Sequence, residues 1–524
     1  MSELSSSLLR RLQTDEDRVV FFDERWQYGA ELRRDVANAQ AALTRLGVGS
    51  GDRIMLVDEN SYAFMVGYLA ILLCGACVVP VNPHMPAPEL IKVASRSQAV
   101  GAVAGRDVLR TVFSDPGVRD VALRFVAELG VDEGGVYLGE ATVAAVLQSP
   151  GRSAAATAPA VGNAADIGED AGAILLFTSG TTGTPKGVQL THAQVMATVQ
   201  NVIGAHNLTA HDITYLFLPL FHINAEVIGM LATLVSGGKL IVEKKFSASR
   251  FWPVIQRHGV TWVSAVPTVI GILIKAATYA PAPRHLRFVR SASAPLPSLH
   301  GRRFEAMFNV PIIESYGMTE AASQICVNPV PPAARRHGSV GRPYGVDLKV
   351  VGDAGLTLEA NEIGEIAIRG DSVIQEYASG DTSGKGFVDG WFMTGDIGYV
   401  DADGFVYITG RSKEMINRAG QKISPREVEE VIARDPDVRT VAVIGLPDEL
   451  YGERVVAYVV PEDAATRRQE VSFKERLRQL CITSISAYKC PVEYHVVDEI
   501  PLGPTGKIQR TRLREQVLAV SGAN

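Results

Sequence analysis

The run Thr178-Ser179-Gly180-Thr181-Thr182-Gly183-Thr184-Pro185-Lys186-Gly187 places five hydroxyls, three glycines and one lysine in ten positions. Glycines let a backbone approach a ligand closely and turn several N–H groups to one side. The hydroxyls add adjustable donors and Lys186 adds a charge, so the stretch suits a polyphosphate. It is not a Walker loop, because Lys186 follows Pro185 and precedes Gly187 rather than Ser or Thr. A plain surface turn would need neither the lysine nor so many hydroxyls. Elsewhere stand Thr319 and Glu320, Asp396, Arg411 and Lys413, and Lys507 in a Gly-containing turn. Taken singly, Glu320 reads as a helix N-terminal acid, Asp396 as a turn residue and Lys507 as a solvated charge.

Elements of the right kind flank these groups. The apolar run Ala173 to Phe177 reads as a buried strand delivering the first loop. Further strands are expected at Arg53–Val57, Lys239–Val242 and Thr261–Val266, with helices at Ala193–Ile203 and Ser249–His258. This alternation predicts parallel sheets with helices on their faces. Val66 to Pro80 is too short for a membrane span and reads as a core helix running into a strand. Gln148 to Ile167, rich in Ala, Gly, Ser and Pro, reads as a linker. Beyond about residue 345 short strands and turns (Asp347–Val351, Gly364–Arg369, Gly404–Thr409) predict a small β-rich part. A boundary is expected near Gly410, dividing a domain over 1–410 from one over 411–524.

At 524 residues the chain requires more than one core. A net charge of −6 and the lack of a basic stripe argue against nucleic acid as a partner. Five scattered cysteines fit a reducing compartment, and the aliphatic flanks of Cys74 and Cys77 favour burial over a redox or metal pair. The N-terminal stretch is too polar for a signal peptide and the C-terminal SGAN is no sorting tail, so the cytoplasm and no membrane are expected.

The first loop resembles the phosphate loop of the adenylate-forming superfamily, which includes acyl-CoA synthetases, peptide synthetase adenylation domains and luciferases. SYGMTE (315–320), GWFMTGDIG (390–398), GRSKEMINRAGQKISPREVE (410–429) and PTGKIQR (504–510) follow in that family's order. The likeness is nearest to small-acid CoA ligases of the oxalate and carnitine type, through 244–268, RSASAPL (290–296) and NPVPP (328–332). It implies an α/β fold: a large N-terminal domain of two doubly wound α/β subdomains plus a β-rich subdomain, and a small mobile α+β C-terminal domain. It implies ATP-dependent activation of an acid as acyl-AMP with release of pyrophosphate, then transfer to coenzyme A, with Mg²⁺ as cofactor.

By the same resemblance, Thr178, Ser179, Gly180, Thr181, Thr182 and Lys186 hold the β- and γ-phosphates, Thr319 the α-phosphate, and Glu320 the metal. Ser293, Ala294, Pro295, Glu314, Ser315 and Tyr316 border the adenine. Asp396 binds the ribose, Arg411 adds a second contact, and Lys507 bridges the carboxylate and α-phosphate. Lys413 occupies the hinge between alternating domain positions. Arg418, Ala419, Gly420 and Lys422 match the segment lining the pantetheine path, although the two cations read equally as a solvated face.

His222 matches the family's gate beside the acid. The implied acid pocket is Ile223, Asn224, Val227, Ser291, Gly317, Met318, Ala322, Ser323 and Gln324. Several are polar, and each unpaired buried polar group costs ~1–3 kcal/mol, so a small or polar acid is expected rather than a long fatty chain. Oxalate-activating relatives carry a His where this chain has Ser323. A neutral Ser lacks the charge to meet a second carboxylate, and Arg290, Arg335, Arg336 and His337 are the cations the sequence offers instead. An aromatic or branched acid, a non-carboxylate oxyacid, and a carrier protein or amine as acceptor remain alternatives, with a monomer or homodimer equally open. A binding protein without catalysis is disfavoured, because every chemistry-bearing position above is filled.

Overall fold

A computed structural model describes residues 1–113, 115–119, 123–132, 134–140, 167–178, 186–276, 282–353, 355–378, 386–503 and 508–521. Among these residues four sheets carry the chain, with nine, seven, five and five strands. In the seven-stranded sheet, Arg53–Val57, Cys77–Val81, Gly101–Gly105, Phe125–Asp132 and Gly172–Thr178 are joined by parallel pairings. The expected core helix is Tyr62–Leu73, and every residue in it is buried. A helix enclosed on all sides has no solvent face to make polar, which explains its unbroken apolar sequence.

The nine-stranded sheet sets Ile213–Leu216, Lys239–Val242, Trp262–Ala265, Phe288–Ser291 and Ile312–Tyr316 in parallel. Both large sheets depart from the all-parallel expectation at their edges. Gly172–Thr178 folds back on Lys186–Thr191 with Thr178 opposite Lys186, because the short stretch between them leaves no room for a helical crossover. Likewise Cys326–Val327 and Arg342–Pro343 close the other sheet antiparallel.

Helix His192–His206 and the π-helix Asn224–Leu231 pack together beside the nine-stranded sheet. The buried His206 ring lies 5.8 Å from Trp262 and 5.4 Å from Phe288. Burial pushes its pKa down to about 3, so it packs as a neutral aromatic. Cys74 and Cys77 are free thiols whose pKa values burial raises to about 11 and about 12. They are therefore poor nucleophiles at neutral pH.

The β-rich sheet pairs Asp347–Val351, Gly364–Arg369, Trp391–Val400 and Val406–Arg411 antiparallel. Beyond it, Ile416–Arg418, Gln421–Ile423, Val438–Asp448, Gly452–Pro461 and Glu493–Val496 form the last sheet. Helices Pro425–Ile432 and Glu470–Ser484 pack on it around Val428, Phe473 and Leu477. The chain thus adopts the expected class: two large α/β sheets, a β-rich sheet and a small α+β C-terminal part. Of the stretch read as a linker, 148–166 lies outside the described residues, and Ile167 is buried. Among the described residues no helix is long and apolar enough to cross a membrane.

One buried carboxyl yields a test. Glu226, in the π-helix, is fully buried and accepts from Tyr68 Oη at 3.2 Å. Burial raises its pKa from about 4.5 to about 8. The folded chain therefore holds a proton that the unfolded chain releases above about pH 4.5. Stability from this group falls as pH rises through that interval, by at most about 1.4 kcal/mol per pH unit. Glu226→Gln stays neutral at every pH, so its urea midpoint should fall less than wild type's between pH 5 and pH 8. Parallel slopes would refute the assignment.

Candidate active site

Three adjacent parallel strands, Trp262–Ala265, Phe288–Ser291 and Ile312–Tyr316, end at one edge of the nine-stranded sheet. The loops beyond such carboxyl ends are where open α/β sheets receive ligands. Here they carry Ser293-Ala294-Pro295 and the turn from Gly317 to Gln324. Phe221 and His222 follow the neighbouring strand Ile213–Leu216 and lead into the π-helix. π-Helical turns interrupt regular packing and recur at functional positions.

Backbone strain gathers at this edge. Ser293, Ala322 and Ser323 have φ of 72°, 48° and 101°, a region that side chains avoid unless the surroundings enforce it. Gly317 is enforced by contact instead. A Cβ there would lie 1.2 Å from the Ser323 carbonyl oxygen. The 317–324 turn is thus folded so tightly that only glycine fits at its start.

Tyr316, at the end of its strand, donates its hydroxyl to Asp396 Oδ2 at 2.5 Å. Arg411 Nε donates to Asp396 Oδ1 at 2.8 Å, across the register that sets Asp396 opposite Arg411. Asp396 is 3% exposed, so both its oxygens are pre-positioned rather than hydrated. Glu320 is also buried, and burial raises its pKa. Its Oε1 has a long contact of 3.4 Å from Tyr377 Oη. The Tyr377 ring in turn carries Lys186 Nζ 4.3 Å from its centre. Lys186, Tyr377 and Glu320 form one chain of contacts, Tyr316, Asp396 and Arg411 another, and the charges of Arg411 and Asp396 act on Glu320.

Glu314 sits beneath this edge, its Oε1 accepting from the Gly338 N–H, with burial raising its pKa to about 7. Ser315 Oγ donates to the Cys326 carbonyl. Thr319 and Ala294 are half-buried, and Ser293 and Pro295 exposed. Asn224 Nδ2 donates to Ser293 Oγ at 3.2 Å, tying the π-helix to the loop after Phe288–Ser291. Val227, Ser291, Ala322, Ser323 and Gln324 are buried, and Ile223, Met318 and His222 half-buried. Burial lowers the His222 pKa to about 4, so its ring is neutral at pH 7. His222 Nε2, Ser291 Oγ and both polar atoms of Gln324 are buried without partners among the described residues. Such orphans are costly unless a ligand or water meets them.

In the C-terminal part, Ala419 and Gly420 (φ 52° and 83°) make the two-residue turn between Ile416–Arg418 and Gln421–Ile423. Arg418 Nη1 donates to the Tyr488 carbonyl and its guanidinium covers the Tyr451 ring. Lys422 is exposed, 3.4 Å from Asp353. Lys413 is exposed within a short 3₁₀ turn, Ser412–Glu414. The Thr178 side chain and Ser179, Gly180, Thr181, Thr182 and Lys507 lie outside the described residues.

The structure also brings in residues that sequence reading passed over. Tyr377 joins Lys186 to Glu320 from a separate segment, with no spacing signal to reveal it. Arg510 donates to Glu414 Oε2 at 2.9 Å and to Glu429 at 2.5 and 3.1 Å. It fixes helix Arg510–Ser521 to the turn that holds Lys413. Its place at the end of the PTGKIQR stretch was the available clue.

Two family models match this chain: one described as AMP-binding enzyme over residues 8–378, and one described as AMP-binding enzyme C-terminal domain over residues 427–507. The sulfoacetate–CoA ligase of Cupriavidus necator is 38% identical over 93% of this chain and 91% of its own length. The oxalate–CoA ligase of Arabidopsis thaliana is 33% identical over 92% of this chain and 91% of its own. The crystal structure of ATP-bound MatB from Rhodopseudomonas palustris superposes with a TM-score of 0.84 at 26% identity, covering 99% of this chain and 100% of that one.

The tightness at Gly317 is testable. Gly317→Ala should lower ATP-dependent turnover about 100-fold, the size expected for a site displaced by about 1 Å. Gly271→Ala, at a helical glycine with nothing within 4 Å of the added Cβ, should leave turnover unchanged. Equal turnover in both variants would remove the turn from the site.

Proposed function

The chain belongs to the AMP-binding enzyme family, and from that footing we propose an AMP-forming acid:CoA ligase acting on a small or polar acid. A carboxylate is a poor acyl donor because oxide would have to leave. Attack of the carboxylate on the α-phosphorus of ATP, with pyrophosphate departing, installs AMP as a good leaving group. The CoA thiol then displaces AMP. The single observation that supports this reading is the convergence of Lys186, Glu320, Tyr316, Asp396 and Arg411 at one sheet edge.

The roles are those the family resemblance suggests for these positions. The hairpin loop between Thr178 and Lys186, with Ser179, Gly180, Thr181 and Thr182, receives the β- and γ-phosphates. Thr319 meets the α-phosphate. Glu320, which accepts a long contact from Tyr377 and a bond from its own backbone N–H among the described residues, has lone pairs left for one magnesium ion, which would neutralise charge on the departing phosphates. Asp396, held by Tyr316 and Arg411, offers its remaining lone pairs to the ribose hydroxyls. Ser293–Pro295 and Glu314–Tyr316 border the adenine. Lys507 neutralises the two anions as they meet. Because it follows the last sheet, the C-terminal part must approach for this step. Lys413 is the pivot, and 411–524 moves against 1–410.

The relatives named for sulfoacetate and oxalate support a small acid, as do the buried polar atoms of His222, Ser291 and Gln324. Arg418 and Lys422 flank the Ala419–Gly420 turn, where the thin arm of CoA would pass. The reading places the enzyme in the cytoplasm as a monomer or homodimer.

A panel of acids scored for pyrophosphate release, then repeated with CoA, tests both steps. Release without CoA-dependent thioester would redirect the acyl group to a carrier protein or amine. Lys507→Ala should slow adenylate formation ~100-fold or more while sparing thioester formation from preformed acyl-AMP. Lys413→Pro should do the reverse. Equal loss of both steps in either variant would count against the division of labour.

A further inference from the structure

Four cations were available to meet a second negative charge on the acid: Arg290, Arg335, Arg336 and His337. Three are already committed to carboxylates. Arg335 Nη2 and His337 Nε2 lie 3.0 and 3.1 Å from Glu305. Arg336 is bridged to both Asp401 and Asp403.

Arg290 differs. It is 1% exposed, yet its partners among the described residues are all neutral. Nη1 donates to Asn224 Oδ1 at 2.9 Å and to Ser264 Oγ at 3.2 Å, and Nη2 donates to Ser315 Oγ at 2.9 Å. Its Nε is buried with no partner among the described residues. Burial alone lowers its pKa, to about 9, so it is cationic at pH 7. Glu226, the carboxyl on the adjoining π-helix, is itself kept neutral by burial and is bonded to Tyr68. A buried cation without a counter-charge is costly, and such charges are normally paired.

The geometry of the guanidinium narrows what is missing. It has five N–H donors and three are used here. Nε and Nη2 share one edge, and the Nε N–H and one of the two Nη2 N–H groups have no partner among the described residues. That edge is the fork that binds a carboxylate or sulfonate through two parallel hydrogen bonds. The side chain also lies in the right place. Strand alternation sets Arg290 on the face of Ser264 and Ser315, with Asn224 linking it to Ser293 at the loop edge.

Resting on the small-acid reading above, we infer that Arg290 is the specificity residue for a second anionic group, so that the acid is a short dianion carrying a second carboxylate or a sulfonate. Asn224, Ser264 and Ser315 aim the guanidinium without neutralising it. An acid with an apolar tail leaves this charge buried and unpaired, and is rejected for that reason.

The test uses the full chain, ATP and magnesium, with pyrophosphate release as readout. The probes are malonate, oxalate and sulfoacetate against acetate, butyrate and benzoate. Wild type should favour at least one dianion at least ~10-fold in kcat/KM over every monoanion, and which dianion leads separates carboxylate from sulfonate. Arg290→Met should lose about 100-fold on that dianion, mainly in KM, the size of a charge-assisted bidentate contact. It should change the monoanions by less than ~3-fold, and Arg290→Lys should restore part of the loss. Asn224→Asp, which sets a carboxylate against Arg290, should cost the dianion more than Asn224→Ala and supplies a second arm if Arg290→Met does not fold. Preference of the wild type for a monoanion, or equal loss of both classes in folded Arg290→Met, would overturn the inference. If no acid releases pyrophosphate, the ligase reading fails separately. Thermal stabilisation by malonate or sulfoacetate, lost in Arg290→Met, then decides the anion site alone.

Discussion

Asp396 holds the site together because it belongs to one sheet and is bonded from two other places. Tyr316 reaches it from the end of a parallel strand in the nine-stranded sheet, and Arg411 from the last strand before the C-terminal part. A buried carboxyl group is costly unless its oxygens are paired, and these two donors pair both of them. The Tyr316 bond ties the β-rich sheet to the large one, while the Arg411 bond lies within the β-rich sheet, between neighbouring strands, at the end of Val406–Arg411. Everything C-terminal to Arg411 departs from that fixed point.

Around this anchor, charge is distributed in a way that separates scaffold from chemistry. Scaffold charges are closed pairs, as in Arg336 with Asp401 and Asp403, or Arg476 with Asp435. At the sheet edge, beside the closed Arg411–Asp396 pair, two groups are left more open. Among the described residues, the side-chain contact to the Glu320 carboxyl is a long one from a tyrosine, and Arg290 donates to neutral oxygens. Open valences of this kind destabilise the empty protein and are expected where ligands complete the bonding. The positive φ values at Ser293, Ala322 and Ser323 belong to the same pattern, since strain persists where surrounding contacts enforce it.

Much of this was legible in the sequence because it depends on local regularities. The apolar run Val66 to Pro80, read as a core helix leading into a strand, is found as the end of helix Tyr62–Leu73 and the strand Cys77–Val81. Asp396, Glu320 and Arg411 stood in stretches of recognisable order. What was not legible arises from pairing across distance. The antiparallel return at Lys186–Thr191 follows from a connection length rather than from any residue type. Tyr377 meets Glu320 across 57 positions, and no periodicity reports such a contact. Arg290 could be named as one of four cations, but only the carboxylates facing the other three distinguish it. Residues 179–185 and Lys507, read most directly from sequence, are those on which the described residues are silent.

The bonds from Arg510 to Glu414 and Glu429 have a mechanical consequence. They leave the final helix no slack relative to the turn at 412–414, so torque applied at that turn reaches the chain's last segment undamped. A rotation of either one therefore carries the other with it, and helix Arg510–Ser521 cannot reorient independently of Ser412–Glu414.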